Sequence, residues 1–190
     1  SSLVEESKGT LICEEDSSME QPVVSGIMND KNQAKITIKG VPDQPGIASK
    51  FFTGLAEGNL SVDMIIQNVS DENHTDISFT VTKEDLNKAT KIVQELGKLV
   101  EARDISADPN ICKVSIVGAG MRSHPGVAAK MFSALSNENI NIIMISTSEI
   151  RVSCIIEEKY GELAVRVLHK VFNMNKAEKN SALKGNDESI

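Results

Sequence analysis

Asp43 and Gly46 stand three residues apart in the Pro-flanked segment Val41-Pro42-Asp43-Gln44-Pro45-Gly46, which leads into an amphipathic stretch. At a helix start, backbone N–H groups without intrahelical partners and the positive end of the dipole favour a carboxylate or phosphate. A glycine there lets a ligand approach the backbone closely, and Asp43 can accept a hydrogen bond from an ammonium group. An anion site beside a cation site suits a zwitterion, a free amino acid. The plainer reading is a turn shaped by Asp43, with Gly46 relieving a steric clash. Farther along, Asp63 and Gln67 are four apart in a strand-like run and so project to one face. A carboxylate among Val, Met and Ile is costly to bury unpaired, which points to a ligand or a partner chain there. Asn68, Ser70, Ser146, Thr147, Ser148 and Glu149 are polar at strand ends and suit a solvated hairpin as well as a site.

Other chemistries lack their residues. Phosphate-loop, serine-hydrolase elbow and zinc-protease motifs do not occur. Gly118-Ala119-Gly120 lacks the third glycine of a dinucleotide fingerprint, and no parallel sheet is expected to carry it. His74, His124 and His169 show no ligand spacing, so no metal is assigned. Cys13, Cys112 and Cys154 are too widely spaced for a zinc knuckle, and their odd number suits a reducing compartment better than a disulfide framework. Cys112 and Cys154 read as buried strand residues.

The elements that would position these residues come from an internal repeat. PGIASKFFTGLAEGNLSVDMI, from Pro45, recurs 80 residues later as PGVAAKMFSALSNENINIIMI, from Pro125, with nine of 21 positions identical. Upstream, AKITIKG ending at Gly40 matches CKVSIVG ending at Gly118. Each copy opens with β-branched alternation and a Gly-containing loop, then a helix with one apolar face: Ala48, Phe51, Phe52 and Leu55 in the first, Ala128, Met131, Phe132 and Leu135 in the second. In the first copy, Val62–Val69 and Thr75–Thr82 read as a hairpin, Leu86–Leu96 as a second helix opened by Thr82-Lys83-Glu84-Asp85, and Val100–Ala107 as a final short strand. The order is strand, helix, strand, strand, helix, strand, the split βαβ arrangement of an antiparallel sheet under two helices.

The second copy supplies five of its six elements: strand Lys113–Gly118, helix Val127–Glu138, strands Ile142–Thr147 and Ile150–Glu157, and helix Gly161–Phe172. Its last strand is missing, whereas Val23–Met28, ahead of the first copy, is an apolar stretch without a role. This orphan strand is expected to complete the second sheet, which makes copy one an insertion within copy two. The copies differ in their chemistry. Ser123 takes the place of Asp43, His124 that of Gln44, and Ile143 and Thr147 those of Asp63 and Gln67, so the two cannot bind one ligand in the same way.

The whole chain sets outer bounds. Its 190 residues, 40% hydrophobic and 25% charged, make an ordinary globular chain. No apolar run approaches the roughly 18 residues of a membrane span, and no signal peptide is evident, so the cytoplasm is expected. Twenty basic and 27 acidic residues give a net charge of −7, which argues against nucleic acid. Aromatics are 3%, too few for base stacking, so the core must be aliphatic.

The strings KITIKGVPDQPGIASKFF, VDMIIQNVS, TDISFTV, KVSIVGAGMRSHPGVAAKMF and NIIMISTSEIRVSCII resemble the tandem ACT domains at the C-terminus of the aspartate kinase family, over residues 22 to 173. Ser1-Ser2 and Gly9-Thr10-Leu11-Ile12 resemble the end of that family's kinase domain. The resemblance implies an α+β fold of two ferredoxin-like ACT domains, the first inserted in the second, each with an antiparallel sheet and two helices on one face. It divides the chain into a kinase-domain remnant or linker (1–21), a first ACT domain (34–107), a second (22–30 plus 110–173) and a disordered tail (174–190). The chain is then an excised regulatory region or a separate regulatory subunit, without a catalytic site or cofactor of its own; ATP and magnesium serve the kinase domain. Lysine, threonine or both would bind between ACT domains of a homodimer and inhibit phosphorylation of aspartate. By matching motif, Asp43, Gly46, Ile47, Ala48, Asp63 and Gln67 would line the effector pocket, with Asn141, Ile142, Ser148 and Glu149 from the facing second domain. Ser70 and Ser78 fall where feedback sensitivity is set. Two alternatives are a freestanding ACT module sensing an amino acid for another enzyme, and a small ferredoxin-like acyl phosphatase, for which Arg122 is the one arginine near a phosphate loop.

Overall fold

A computed structural model describes residues 24–69, 73–119, 124 and 126–174 of the chain. The elements are β1 (Gly26–Pro42), α1 (Ile47–Glu57), β2 (Ile65–Val69), β3 (His74–Val81), α2 (Leu86–Leu99), β4 (Asp104–Val117), α3 (Val127–Asn137), β5 (Met144–Thr147), β6 (Arg151–Glu157), a 3-10 turn at Glu158–Tyr160 and α4 (Gly161–Val171). Helix α1 buries Ile47, Phe51 and Leu55, and α3 buries Met131, Ala134 and Leu135. This is the apolar stripe that the repeat marks. The polar start of α2 closes as a box: Thr82 Oγ1 donates to the Asp85 carboxylate at 2.9 Å, and the Asp85 N–H donates back to Thr82 Oγ1 at 3.2 Å.

The six strands form one antiparallel sheet in the order β2-β3-β1-β4-β6-β5. The orphan strand pairs with the second copy, as Gly26 to Asp30 run antiparallel to Val117 to Lys113, and Val24 is buried in the second core. The larger correction concerns continuity. The stretches 26–28 and 36–38 belong to a single 17-residue strand, and 104–117 forms another, so the two copies share one sheet. The fourth strand of the first copy begins at Asp104 instead of Val100, because a turn through Glu101 at φ 56° brings the Ala102 N–H to the Gly97 carbonyl at 2.9 Å.

Two compensating bulges allow the sharing. Asp30 pairs with Lys113, Gln33 with Ile111 and Lys35 with Asp108, so β1 carries an extra residue on one side of Gln33 and β4 an extra residue on the other. Each is held by an aspartate: the Asn32 N–H donates to Asp30 Oδ1 and the Asn110 N–H to Asp108 Oδ1, both at 2.9 Å. Pro109 sits in the second bulge, where no ladder hydrogen bond is asked of it. An extra residue reverses the alternation of a strand. Ile27 faces the second pair of helices while Ile36 and Ile38 face the first, and in β4 Ile105 gives way to Cys112, Val114 and Ile116. All four helices therefore stand on one side of the sheet.

On that side lie two aliphatic cores, one of Ile36, Ile38, Phe51, Leu55, Phe79 and Val93 and one of Val114, Ile116, Met131, Leu135, Ile156 and Leu168. Full burial of each such side chain stabilises by about 1.5–3 kcal/mol. The helix-free side carries a third cluster, Met64, Ile111, Met144 and Ile155, flanked by Ile66 and Ile143. Met64 precedes one edge strand and Met144 begins the other, so the sheet curls until its edges meet over the middle. The strand order reads as a pseudo-two-fold. Met64 and Met144 are repeat equivalents, and so are Gln33 and Ile111, which pair with each other at its centre. Met174, expected within a disordered tail, packs against the second core. The remnant 1–21 and residues 175–190 lie outside the described residues.

Candidate functional site

The two helix N-termini that the sequence singles out are built alike. Gly46 has φ 94° and Gly126 φ 98°, a left-handed conformation that glycine adopts without strain. Neither α1 nor α3 has a side-chain cap or an acidic residue in its first turn. Among the described residues, a Cβ placed on either glycine would meet nothing within 4 Å, so the space beside each glycine is open. Upstream of α1, the Asp43 N–H donates to the Asn73 carbonyl at 2.8 Å, which ties the loop to the β2–β3 turn and leaves Asp43 exposed. Ile47 is buried beneath the loop and Ala48 half-buried. Asp43 gives the α1 end a carboxylate; Ser123, its counterpart ahead of α3, lies outside the described residues.

Asp63 departs from expectation. It precedes β2 instead of lying within it, held by its N–H to the Thr80 carbonyl at 3.1 Å, while the Met64 N–H reaches Thr80 Oγ1 at 3.2 Å. Nor is its carboxylate unpaired. Lys113 of β4, whose side chain is 11% exposed, forms an ion pair with it, and Asp30 lies 3.9 Å from the same ammonium group. Asp63 is also 42% exposed and so is not the buried carboxylate the sequence suggests; its partner comes from inside the chain, across the two copies. Sequence reasoning missed Lys113 and Thr80. Lys35 and Lys113 are repeat equivalents, but pairing across copies has no signature at short range.

Asp63, Met64, Lys113, Ser146, Thr147, Ser148, Ile150, Arg151 and Ser153 line a pocket of about 230 Å³ on the helix-free side. Two residues that the sequence assigned to opposite sides of a site, Asp63 and Ser148, thus meet within one chain. Beneath them the Ser115 and Ser153 hydroxyls are hydrogen-bonded at 2.8 Å. Asp43, Gly46, Ile47 and Ala48 do not line this pocket. Gln67 is exposed on edge strand β2, opposite Ile77. Asn141 is exposed, Ile142 packs against the second core, and Glu149 is exposed at the β5–β6 turn. Ser78, on β3, shares a hydrogen bond with Thr37 at 3.1 Å; Ser70 lies outside the described residues. A second cavity of about 570 Å³, lined by Met28 to Asn32 with Lys113 and Ser115, lies on the other side of Lys113.

Burial pushes the Cys112 thiol up to about 11 and the Cys154 thiol up to about 12. Both are neutral at physiological pH and unsuited to nucleophilic work. Among the described residues, no group of His, Cys, Asp or Glu is placed to hold a metal ion, and no helix is long and apolar enough to cross a membrane.

Comparison with known proteins identifies this architecture. Residues 36–96 and 114–172 match the ACT domain family. The chain belongs to that family, as a tandem pair of the kind that forms the regulatory region of aspartate kinases. It is 54% identical to an aspartate kinase of Stutzerimonas stutzeri, over 94% of this chain and 43% of that protein. Among solved structures, a chain of aspartokinase alpha and beta subunits is 55% identical, with a TM-score of 0.75, covering 79% of this chain and 99% of that one. The ligand-free regulatory subunit of aspartate kinase from Thermus thermophilus is 43% identical, with a TM-score of 0.76 and the same coverage. The chain thus spans less than half the length of the curated relatives it matches and nearly the whole of the regulatory subunits.

Proposed function

We propose that the chain is the feedback sensor of an aspartate kinase, binding lysine, threonine or both and thereby inhibiting transfer of phosphate from ATP to aspartate in a catalytic domain or subunit outside the residues described. The observation that carries this reading is the open, uncapped N-terminus of α1 behind Gly46, with the exposed Asp43 beside it. Backbone N–H groups there suit the carboxylate of an amino acid, and Asp43 suits its ammonium group. Asp63 and Gln67 would hold the remainder from the β2 side.

The site is completed by a second copy. Among the described residues β2 and β5 each have a ladder partner on one side only, and the repeat-equivalent Ile65 and Ile145 on them are 53% and 42% exposed, an arrangement that sheet pairing between chains would cover. In that homodimer, Asn141, Ile142, Ser148 and Glu149 of the partner subunit would close the pocket, and Ser70 and Ser78 would tune its response. The division into a first ACT domain (34–107) and a second (22–30 plus 110–173), and a cytoplasmic setting, belong to the same proposal. ATP and magnesium would be used by the kinase domain alone.

Calorimetry with threonine, lysine and both together tests the reading, joined to sedimentation at several protein concentrations. Saturable binding that shifts the monomer–dimer equilibrium toward dimer is expected, since a ligand shared by two chains favours their association. No heat and no change in melting temperature at millimolar amino acid would refute it. Binding without any shift in association would refute the shared site.

A further inference from the structure

The ion pair between Asp63 and Lys113 joins parts of the molecule with different duties. Asp63 precedes edge strand β2 of the first copy, whereas Lys113 lies in β4, one of the two strands that both copies share. Directly across the ladder from Lys113 is Asp30 of β1, the other shared strand, with its carboxylate 3.9 Å from the ammonium group. Asp30 also anchors the bulge, accepting from the Asn32 N–H at 2.9 Å and from Gln33 Nε2 at 2.8 Å. One cation therefore stands between a carboxylate at the edge and a carboxylate at the junction of the copies. The pseudo-two-fold does not repeat the device, because Ile143 takes the place of Asp63 opposite Lys35.

We infer that Lys113 is an internal competitor for the side-chain ammonium group of a lysine effector, whose α-ammonium group falls to Asp43. With the pocket empty, Lys113 holds the Asp63 carboxylate; when the side-chain ammonium group of lysine takes Asp63, Lys113 passes to Asp30. The event at the edge strand is then transmitted to the β1 bulge, and through the shared strands to both copies at once. This rests on the reading of Asp63 as an effector residue and adds how occupancy is sensed. Lys113 acts through Asp63 and is a positioning residue. Asp63 and Asp30 are 42% and 41% exposed, so Lys113 exchanges one modest ion pair for another and a single ligand charge is enough to shift the balance.

The competition predicts changes of opposite sign. Lys113→Met removes the competitor while keeping the length of the side chain, so the full chain should bind lysine about fivefold more tightly. Asp30→Asn removes the alternative acceptor, makes release of Lys113 costlier, and should bind more weakly by a similar factor. A purely structural role for the pair would weaken binding in both variants. Calorimetry of wild type and both variants with lysine reads this directly, and threonine, which has no second ammonium group, should show no tightening in Lys113→Met. Wild-type binding with an unchanged or weaker Lys113→Met overturns the inference and leaves the reading of the site standing. Should Lys113→Met not fold, normal affinity in Asp30→Asn overturns it equally. Absence of binding in wild type sinks the site and the inference together.

Discussion

Replacing Gly46 by alanine separates the backbone requirement of the effector loop from its role toward a ligand. At φ 94° an L-residue is strained, but the new methyl group would meet nothing within 4 Å. The cost is therefore that of the dihedral alone, about 1–2 kcal/mol. In a chain of this size that lowers the melting temperature by about 2–8 °C. The same methyl group stands in the space before α1 where the ligand's carboxylate is expected, so amino-acid binding should be lost well beyond what the stability change explains. Gly126→Ala is the matched control, with φ 98° and equally open space. It should lose the same stability and retain binding at the Asp43 loop. Calorimetric melting and titration of the three proteins measure both quantities. If both variants melt alike and Gly46→Ala still binds like wild type, the loop is not the anion site. If neither melts lower, the assignment of strain to these dihedrals is wrong.

Two further outcomes follow from the same geometry. Asp43→Ala should weaken amino-acid binding by roughly 2 kcal/mol or more while leaving the melting temperature of the unliganded protein in place, because Asp43 is exposed and the loop is tied down by its backbone; normal binding would return Asp43 to turn shaping. In a Cys13→Ser background, Cys112 and Cys154 should react with an alkylating reagent at pH 8 at least about 100-fold more slowly than a free thiol, since burial holds both in the protonated form until the pH nears about 11 and 12. Rapid labelling of the folded protein would contradict their placement.

What the sequence determined by itself is local. The apolar stripes of α1 and α3, the box at Thr82 and Asp85 and the glycines before both helices each depend on neighbours within a turn or two, and the structure has them where their patterns lie. The orphan strand was legible by elimination, because an ACT sheet one strand short needs a strand from elsewhere. A signal for the bulges was also present: Asp-x-Asn at 30–32 recurs at 108–110, 78 residues on, the offset that relates the upstream strands of the repeat. Its meaning emerges only when β1 and β4 are side by side.

Tertiary structure decided the rest. Whether two sheets stay separate or fuse depends on register, and register is a relation between strands far apart in the chain, insensitive to the alternation within either one. The two bulges keep all four helices on one side, and the curl of the fused sheet brings Met64 to Met144 and Asp63 to Lys113. The sequence marks Asp63 as a carboxylate in need of a partner. Only the folded chain supplies Lys113, because an ion pair forms wherever charges meet in space, and sequence separation carries no information about that meeting.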